Sequence, residues 1–344
     1  MLFLNSKRSL SFFTFYPPRI HDHSDLRYLP FTAIIGNTSW LLTFAASMMR
    51  ILYYPVFGFF YLISLLPFWV LYGISDFAAL LIRDVLRYRW QVVMDNIGRS
   101  FPNMSLEEKT GIARRFYRNF TDNWIETIKL VSISKSRLNK RISGNFEVFN
   151  RLYASGKSVQ VNLGHFFNWE IMTLHTGINQ PYTFLTVYLP QSSEIMNRLI
   201  LYVRSRWGNP QIPATEMARG IIPWRKKQYL LALGADQSPA NPAHAYWLNF
   251  MGNPTPFPKG PEKFARSMAI PVVMMTTTRP KRGHYHFEYF LLTDDPKTLP
   301  DGELMRLYVR QLEANIRVQP DLYLWSHKRW KHGWKPEYQD LWVD

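Results

Sequence analysis

The 344-residue chain contains no cysteine, which excludes disulfide bonds, cysteine-based zinc sites and thiol catalysis. The G-x-S-x-G sequence of α/β serine hydrolases is also missing, as are the G-x-G-x-x-G and H-E-x-x-H motifs. Gly156-Lys157-Ser158 resembles the end of a P-loop, but Arg151 stands where that loop requires glycine. His284 and His286 alternate on a predicted strand without a third ligand nearby, so no metal site is predicted.

Acidic residues are few: 25 Asp and Glu stand against 41 Lys and Arg, giving a formal net charge of +16. Such an excess favours a polyanionic partner, which could be nucleic acid, anionic lipid or an acidic carrier protein. Aromatic residues make up 16% of the chain, with 12 Trp and 24 Phe. Aromatic rings together with Lys and Arg are typical of the membrane interface. With 47% hydrophobic residues, the chain is long enough to bury a full core in one large domain.

One long segment, from Ile51 to Ser75, has no charged residue. It exceeds the roughly 20 residues that cross the hydrocarbon core of a bilayer. The sequence therefore predicts a hydrophobic membrane-anchoring helix within residues 49–83. Pro55 and Pro67 would kink such a helix, which leaves three alternatives open: a bent span, a half-inserted interfacial helix, or a helix docked on the folded domain.

Residues 1–48 show neither helical nor strand periodicity, and Met48-Met49-Arg50 reads like a natural protein start. We therefore interpret residues 1–48 as an extension, and residues 84–344 as the main folded domain. Within that domain, Ser105 and Glu108 form a capping box that opens a helix.

Strand and helix patterns then alternate, which predicts an α/β fold with a central sheet flanked by helices. The predicted strands are residues 158–163, 182–188, 229–233, 271–277 and 285–292. The predicted helices are residues 169–176, 193–206, 215–226, 261–268 and 302–318.

His165 and Glu170 form an H-x-x-x-x-E pair directly after the first of these strands. On a continuous helix, five positions rotate by roughly 140°, and the two side chains would diverge. Gly164 can end the strand and Asn168 can cap the next helix, which puts His165 in the loop and Glu170 in the first helical turn. The carboxylate could then orient the imidazole and raise its basicity, forming a dyad that takes a proton from a hydroxyl. The alternative is a surface histidine beside a helix-starting glutamate that only suits the helix dipole.

The stretch Gly-His-Phe-Phe-Asn-Trp-Glu at 164–170 resembles the G-H-F-G-N-W-E motif of the lipid A biosynthesis lauroyl/myristoyl acyltransferases. Other segments are similar to motifs of that family in the same order: Tyr188-Leu189-Pro190 with Arg204 downstream, Gly234-Ala235-Asp236-Gln237, residues 260–266, and the W-x-H-R-R-W/F-K-like residues 324–331. The resemblance covers about residues 49–335. The H-x-x-x-x-E pair alone is shared with glycerolipid acyltransferases, whereas its combination with the C-terminal signature is specific.

The resemblance implies a glycerolipid acyltransferase-like fold with a mixed sheet, an N-terminal hydrophobic membrane helix and an acyltransferase domain over residues 84–344. The implied reaction moves an acyl chain from a thioester to a hydroxyl of a lipid A precursor. His165 would be the general base and Glu170 would orient it. Arg204 would bind phosphate or the developing oxyanion, Asp236 would orient Arg204 or a substrate hydroxyl, and Arg329 would support the site or contact phosphates.

The partners implied are acyl carrier protein or acyl-coenzyme A as donor, a lipid A precursor as acceptor, and the membrane. No cofactor, metal or nucleic acid is implied, and the implied location is the bacterial inner membrane with the catalytic domain on the cytoplasmic side. Basic clusters at Arg225-Lys226-Lys227 and Lys328-Arg329-Lys331 could receive an acidic carrier, but anionic lipid would attract the same clusters.

Three residues depart from the family pattern. Phe167 replaces the usual glycine and would place a bulky ring beside the dyad, with consequences for the acceptor pocket. Leu189 replaces the arginine of the Y-R-P block, and Ser238 stands where many members keep a second acid. These departures leave two alternatives open: a glycerolipid or aminolipid O-acyltransferase using the same dyad, and a non-enzymatic basic membrane protein.

Overall fold

The computed structural model describes residues 51–344, so the predicted extension over residues 1–48 lies outside the described residues. The strands are β1 (Ile142–Gly144), β2 (Val159–Leu163), β3 (Thr183–Tyr188), β4 (Gln211–Pro213), β5 (Tyr229–Gly234), β6 (Ala245–Phe250), β7 (Asn253–Pro258), β8 (Val272–Lys281) and β9 (His284–Thr293).

The helices run in chain order between and around these strands. They are α1 (Ile51–Leu65), α2 (Phe68–Leu80), α3 (Trp90–Ser100), α4 (Leu106–Lys129), α5 (Lys135–Asn139), α6 (Glu147–Ala154), α7 (Trp169–Asn179), α8 (Glu194–Ser205), α9 (Met217–Gly220), α10 (Gly260–Met268) and α11 (Glu303–Val318). A π-helical turn, Leu81–Val85, follows α2.

A seven-stranded mixed sheet forms the centre of the fold, in the order β1-β9-β8-β2-β5-β3-β4. Strands β8, β2, β5, β3 and β4 run parallel, whereas β9 runs antiparallel to β8. Core residues lie on both faces of this sheet, one group beneath α4 and α11 and another beneath α6, α7 and α8. The predicted α/β fold with a mixed sheet flanked by helices is confirmed.

Two segments differ from the secondary structure predicted from the sequence. The predicted helix over residues 215–226 is wrong: only α9 and short 3-10 turns form there, because Gly220 and Pro223 interrupt the segment. The β6–β7 hairpin was not predicted, since β7 contains three prolines. They lie at alternate positions and pair with Asn249, Trp247 and Ala245, so their missing N–H groups share one side of the strand.

The hydrophobic N-terminal segment, which we name the apolar arm (residues 51–86), forms two helices. The segment matches the bent alternative, because α1 and the segment Phe68–Val85 are bent by 113° relative to each other. The bend coincides with Pro67, and Lys129 Nζ donates to the carbonyls of Ser64 and Leu66 at 2.7 and 2.8 Å. These bonds satisfy carbonyls that a continuous helix would satisfy internally.

Among residues 51–344, no single helix is long and apolar enough to cross a membrane, whereas the bent pair Ile51–Leu65 and Phe68–Val85 meets the length and composition requirement when taken together.

Candidate active site

Strand pairing brings His165 and Asp236 together. Strands β2 and β5 are parallel neighbours, with Leu163 opposite Gly234, so the residues two positions further along each chain leave the sheet side by side. The carboxyl-terminal edge of parallel strands is where ligands bind in open α/β sheets. Glycine at 234 leaves room for the imidazole, since a Cβ there would lie 2.8 Å from Cε1 of His165.

Asp236 holds His165 through two hydrogen bonds. The backbone N–H of His165 donates to Oδ2 of Asp236 at 2.8 Å, and Nδ1 of the ring is bonded to Oδ1. Asp236 is buried, while the His165 side chain is 27% exposed. The amide of Gln237 lies 3.1 Å from Nε2 of His165. With the Nδ1 proton donated to Asp236, Nε2 carries the lone pair and accepts from that amide.

The ionisation of the pair follows from burial and mutual attraction. Burial acts to lower the pKa of His165, but the charge and hydrogen bond of Asp236 outweigh it and raise that pKa above its ordinary value. Burial acts to raise the pKa of Asp236, but His165, with a contribution from Arg329, lowers it to about 2. Asp236 is therefore a carboxylate at neutral pH, and His165 gains basicity from it.

Glu170 has different partners from those predicted. Its carboxylate accepts from Nε and Nη2 of Arg204 at 2.8 and 2.6 Å, and from the indole N–H of Trp169 at 3.1 Å. The carboxylate bonded to the His165 ring is that of Asp236, so the orienting contact that the sequence assigned to Glu170 belongs to Asp236 in this structure. The Arg204 charge still reaches His165, where it acts to lower the pKa of the imidazole.

The loop between His165 and Glu170 is fixed at both ends. Asn168 caps α7, because its Oδ1 accepts from the backbone N–H groups of Glu170 and Ile171 at 3.0 and 3.2 Å. On the other side, the N–H of Leu324 donates to the carbonyl of His165 at 3.0 Å. We name residues 164–168, between β2 and α7, the histidine loop. The segment 324–331, which resembles the family's C-terminal signature, contacts this loop through its first residue.

Two basic side chains of that C-terminal signature lie behind the site. Arg329 is 1% exposed; its Nη2 donates to the carbonyl of Pro256 at 3.0 Å, and its guanidinium lies 4.1 Å from the centre of the Phe257 ring. His327 accepts from the backbone N–H of Ser238 at 3.2 Å, and burial lowers its pKa to about 4. The structure thus places Arg329 where its charge acts on Asp236, away from the accessible surface.

The Phe167 side chain lies in the hydrophobic core. Its ring is fully buried, with ring centres of Phe116, Phe120 and Trp169 at 5.7, 6.1 and 5.5 Å. This ring fills the core beneath α4 and packs against Trp169, whose ring centre lies 6.0 Å from that of His165. Its effect on an acceptor pocket stays a prediction. By contrast, Leu189 is 64% exposed just beyond β3, at the same edge of the sheet as His165.

The family of the chain follows from comparison with known proteins. The sequence model of the bacterial lipid A biosynthesis acyltransferases matches residues 43–332. This chain belongs to that family. It is 23% identical over 269 residues to the lipid A biosynthesis palmitoleoyltransferase of Escherichia coli (strain K12), covering 77% of this chain and 86% of the relative. The identity and coverage are the same for a lipid A biosynthesis acyltransferase of Shigella flexneri.

The protein is thus an acyltransferase, as the motifs at 164–170 and 324–331 suggested. Sequence reasoning singled out His165, Glu170, Arg204, Asp236 and Arg329, and the structure gathers all five at one edge of the sheet. It did not pair Asp236 with His165, and it gave Gln237 no role. The two strands that end at Leu163 and Gly234 could be predicted from the sequence. That these strands are neighbours, which brings Asp236 and Gln237 to His165, depends on the strand order of the whole sheet.

Proposed function

We propose that this enzyme transfers a fatty acyl chain from an acyl thioester to a hydroxyl group of a lipid A precursor. The observation that carries the proposal is the His165–Asp236 pair at the ligand-binding edge of the sheet, in which the His165 side chain is 27% exposed and its Nε2 carries the lone pair. Family membership supports the acceptor class, because the relatives are named for lipid A biosynthesis. Acyl carrier protein and acyl-coenzyme A are the two candidate donors.

In the proposed reaction, His165 acts first as base and then as acid. The acceptor hydroxyl takes the place of the Gln237 amide at Nε2 and gives its proton to that nitrogen as its oxygen attacks the thioester carbonyl carbon. The tetrahedral oxyanion collapses, the carbon–sulfur bond breaks, and the departing thiolate takes the proton from Nε2. Asp236 stabilises the transient imidazolium without itself becoming protonated. The products are an ester and a free thiol.

Arg204 is proposed to bind the negative charge that the reaction brings or develops. A guanidinium suits phosphate and oxyanion geometry, and its position beside His165 is fixed by the two hydrogen bonds that it donates to Glu170. The Arg204 side chain keeps 18% exposure, whereas Glu170 keeps only 5%. Glu170 therefore acts through Arg204, and Arg329 acts through the Asp236 carboxylate.

Product analysis tests the reaction and its acceptor class. Purified enzyme is incubated with a hydroxyacyl lipid A precursor and either donor, and the lipids are examined by mass spectrometry. We expect the precursor to gain one acyl chain that mild alkali removes, as an ester requires. Matched incubations replace the precursor by a lysophospholipid or by an aminolipid. Acylation of either of these with none on the precursor would reject the lipid A proposal in favour of a glycerolipid or aminolipid acceptor.

Membrane association is proposed to occur through the apolar arm. Most of the strongly exposed large hydrophobic side chains of residues 51–344 lie in this arm, among them Phe59, Leu62, Trp69 and Phe77 at 60–77% exposure. A contiguous exposed apolar surface of this kind marks a membrane or protein contact, and the lipid acceptor favours the membrane.

Substituting the arm should weaken binding to vesicles. Changing Phe59 and Leu62 together to serine should reduce vesicle binding by at least about tenfold, because burying each side chain contributes about 1.5–3 kcal/mol. Val318→Ser serves as the matched control, since Val318 is 71% exposed at the end of α11. Sedimentation with anionic vesicles measures the effect. Equal binding by the two variants would contradict the assignment of the arm.

A further inference from the structure

A buried glutamate on α4 lies between the apolar arm and the histidine loop. Glu126 is 1% exposed and accepts three hydrogen bonds from three different parts of the chain. The hydroxyl of Tyr72 in the arm donates to Oε1 at 2.9 Å. The hydroxyl of Tyr285 on β9 and the amide of Asn168 donate to Oε2 at 2.7 and 3.0 Å. Arg279 adds an ion pair at 3.5 Å.

The contact with Asn168 decides which way that side chain points. A carboxylate only accepts hydrogen bonds, so the amide nitrogen of Asn168 must face Glu126. The amide oxygen is then directed at the first turn of α7, where it accepts from the N–H groups of Glu170 and Ile171. Asn168 is itself fully buried. Glu126, together with the Asn123 carbonyl 3.4 Å from the Asn168 amide nitrogen, thus supports the orientation that the helix cap between His165 and Glu170 requires.

The contact with Tyr72 is closely fitted. Gly283 has φ +73°, and a Cβ at that position would lie 2.1 Å from the Tyr72 hydroxyl. Only glycine at position 283 therefore avoids a clash with this hydroxyl. The arm is also held independently, because Arg282 binds Asp76 of the arm at 2.8 Å and Asp122 of α4 at 2.6 Å. Loss of the Tyr72 hydroxyl alone should therefore leave the arm docked.

We propose that Glu126 is a positioning residue for acyl transfer: through Asn168 it fixes the loop that carries His165, and through Tyr72 it joins that loop to the apolar arm. The inference rests on the proposed role of His165. A loop displaced by even 1 Å at a reacting group can cost about a hundredfold in rate. Glu126 is buried, so its effect should be on turnover rather than on binding.

Reversal of the donor and acceptor tests the contact directly. Glu126→Gln removes the charge and replaces one of the two accepting oxygens with an NH2 group, which cannot accept. Asn168→Asp keeps a good helix cap but sets two carboxylates at contact distance. Each single variant should lower kcat by at least about tenfold with little change in KM. In the double variant, the glutamine amide donates to the new carboxylate, and kcat should recover to within about threefold of the wild type as coupled residues do.

A double variant no faster than the slower single variant would overturn the proposal, as would losses of kcat that only follow losses of thermal stability. Tyr72→Phe provides a second measurement that removes a single atom and should also lower kcat. Its control is Tyr182→Phe, since the buried Tyr182 hydroxyl has no hydrogen-bond partner among residues 51–344. Equal kcat in these two tyrosine variants would reject the link to the arm.

The same assays separate this inference from the proposed function. If His165→Ala retains wild-type turnover, then the proposed mechanism fails and the loop has no catalytic base to position. If His165→Ala is inactive while the Glu126 and Asn168 variants turn over at the wild-type rate, then only the positioning role of Glu126 fails.

Discussion

Replacing His165 with alanine should lower the rate of the acyl-transfer step by about 10²–10⁴-fold through loss of the general base. The side chain lies at the surface edge of the sheet with 27% exposure, and its removal leaves the backbone bonds to Asp236 and Leu324 in place. We therefore expect the variant to fold and to melt close to the wild-type temperature. Single-turnover kinetics with saturating donor and acceptor measure the chemical step.

The structure offers a matched control for this variant. His286 on β9 is also bonded to a carboxylate, that of Glu288, at 2.8 Å. Strand β9 is separated from β2, which leads to His165, by β8. His286→Ala should turn over at the wild-type rate. Acyl transfer at the wild-type rate by correctly folded His165→Ala would contradict the mechanism, because no other group in the proposal accepts the hydroxyl proton.

The fold could be predicted from the sequence where local patterns dominate. The capping box at Ser105 and Glu108 is formed as predicted, and the predicted Asn168 cap does start α7. Both depend on residues a few positions apart, so their geometry follows from the backbone alone. The same holds for strand β2 and for the placement of His165 in the loop behind it.

The partner of His165 could not be predicted in this way. A glutamate five residues away was the nearest acid in the sequence, but the acid that binds the ring is Asp236, 71 positions further on. Two residues this far apart meet only because β5 pairs with β2, and strand order is a property of the whole sheet. The same limit hid the contacts of Glu126, whose three donors lie in α2, β9 and the histidine loop.

The bend of the apolar arm illustrates a third kind of information. The sequence predicted a membrane helix within residues 49–83 with a kink at Pro67, which left a bent span among the alternatives. The observed bend is fixed by Lys129, which reaches from α4 to the carbonyls at the end of α1. Phe167 is similar, because its sequence position beside His165 gave no sign that the ring would pack on α4. Pro67 indicated a bend but not its angle, and nothing near Phe167 in the sequence indicated its packing, because tertiary contacts decide both.

Replacing Asp236 with asparagine should also lower the chemical rate by about 10²–10⁴-fold, because the imidazole loses the partner that fixes its tautomer and stabilises its cation. Asparagine keeps the shape of the side chain, and its oxygen can still accept from the His165 backbone N–H. The Asp236 carboxylate is buried, so this variant also removes a buried charge. Circular dichroism and thermal melting, compared with His165→Ala, establish that the fold is kept.

The pH dependence of the residual activity distinguishes this role from a structural one. In the wild type, Asp236 raises the pKa of His165 above its ordinary value, so kcat/KM should fall as the pH drops through that raised pKa and protonates the base. In Asp236→Asn, the opposing effect of burial remains while the attraction is lost. The acid limb of the profile should therefore move to lower pH.

His327 does not obscure this measurement, because burial lowers its pKa to about 4, below the range in which the shift is expected. Asp236, with a pKa of about 2, also titrates below the range in which the shift is expected. An acid limb at the same pH in the wild type and in Asp236→Asn would show that the titrating base is not coupled to Asp236. An acid limb that moves to higher pH would mean that the pKa of the titrating group rises when the carboxylate is removed. That result would contradict the pairing, because the Asp236 carboxylate raises the pKa of His165.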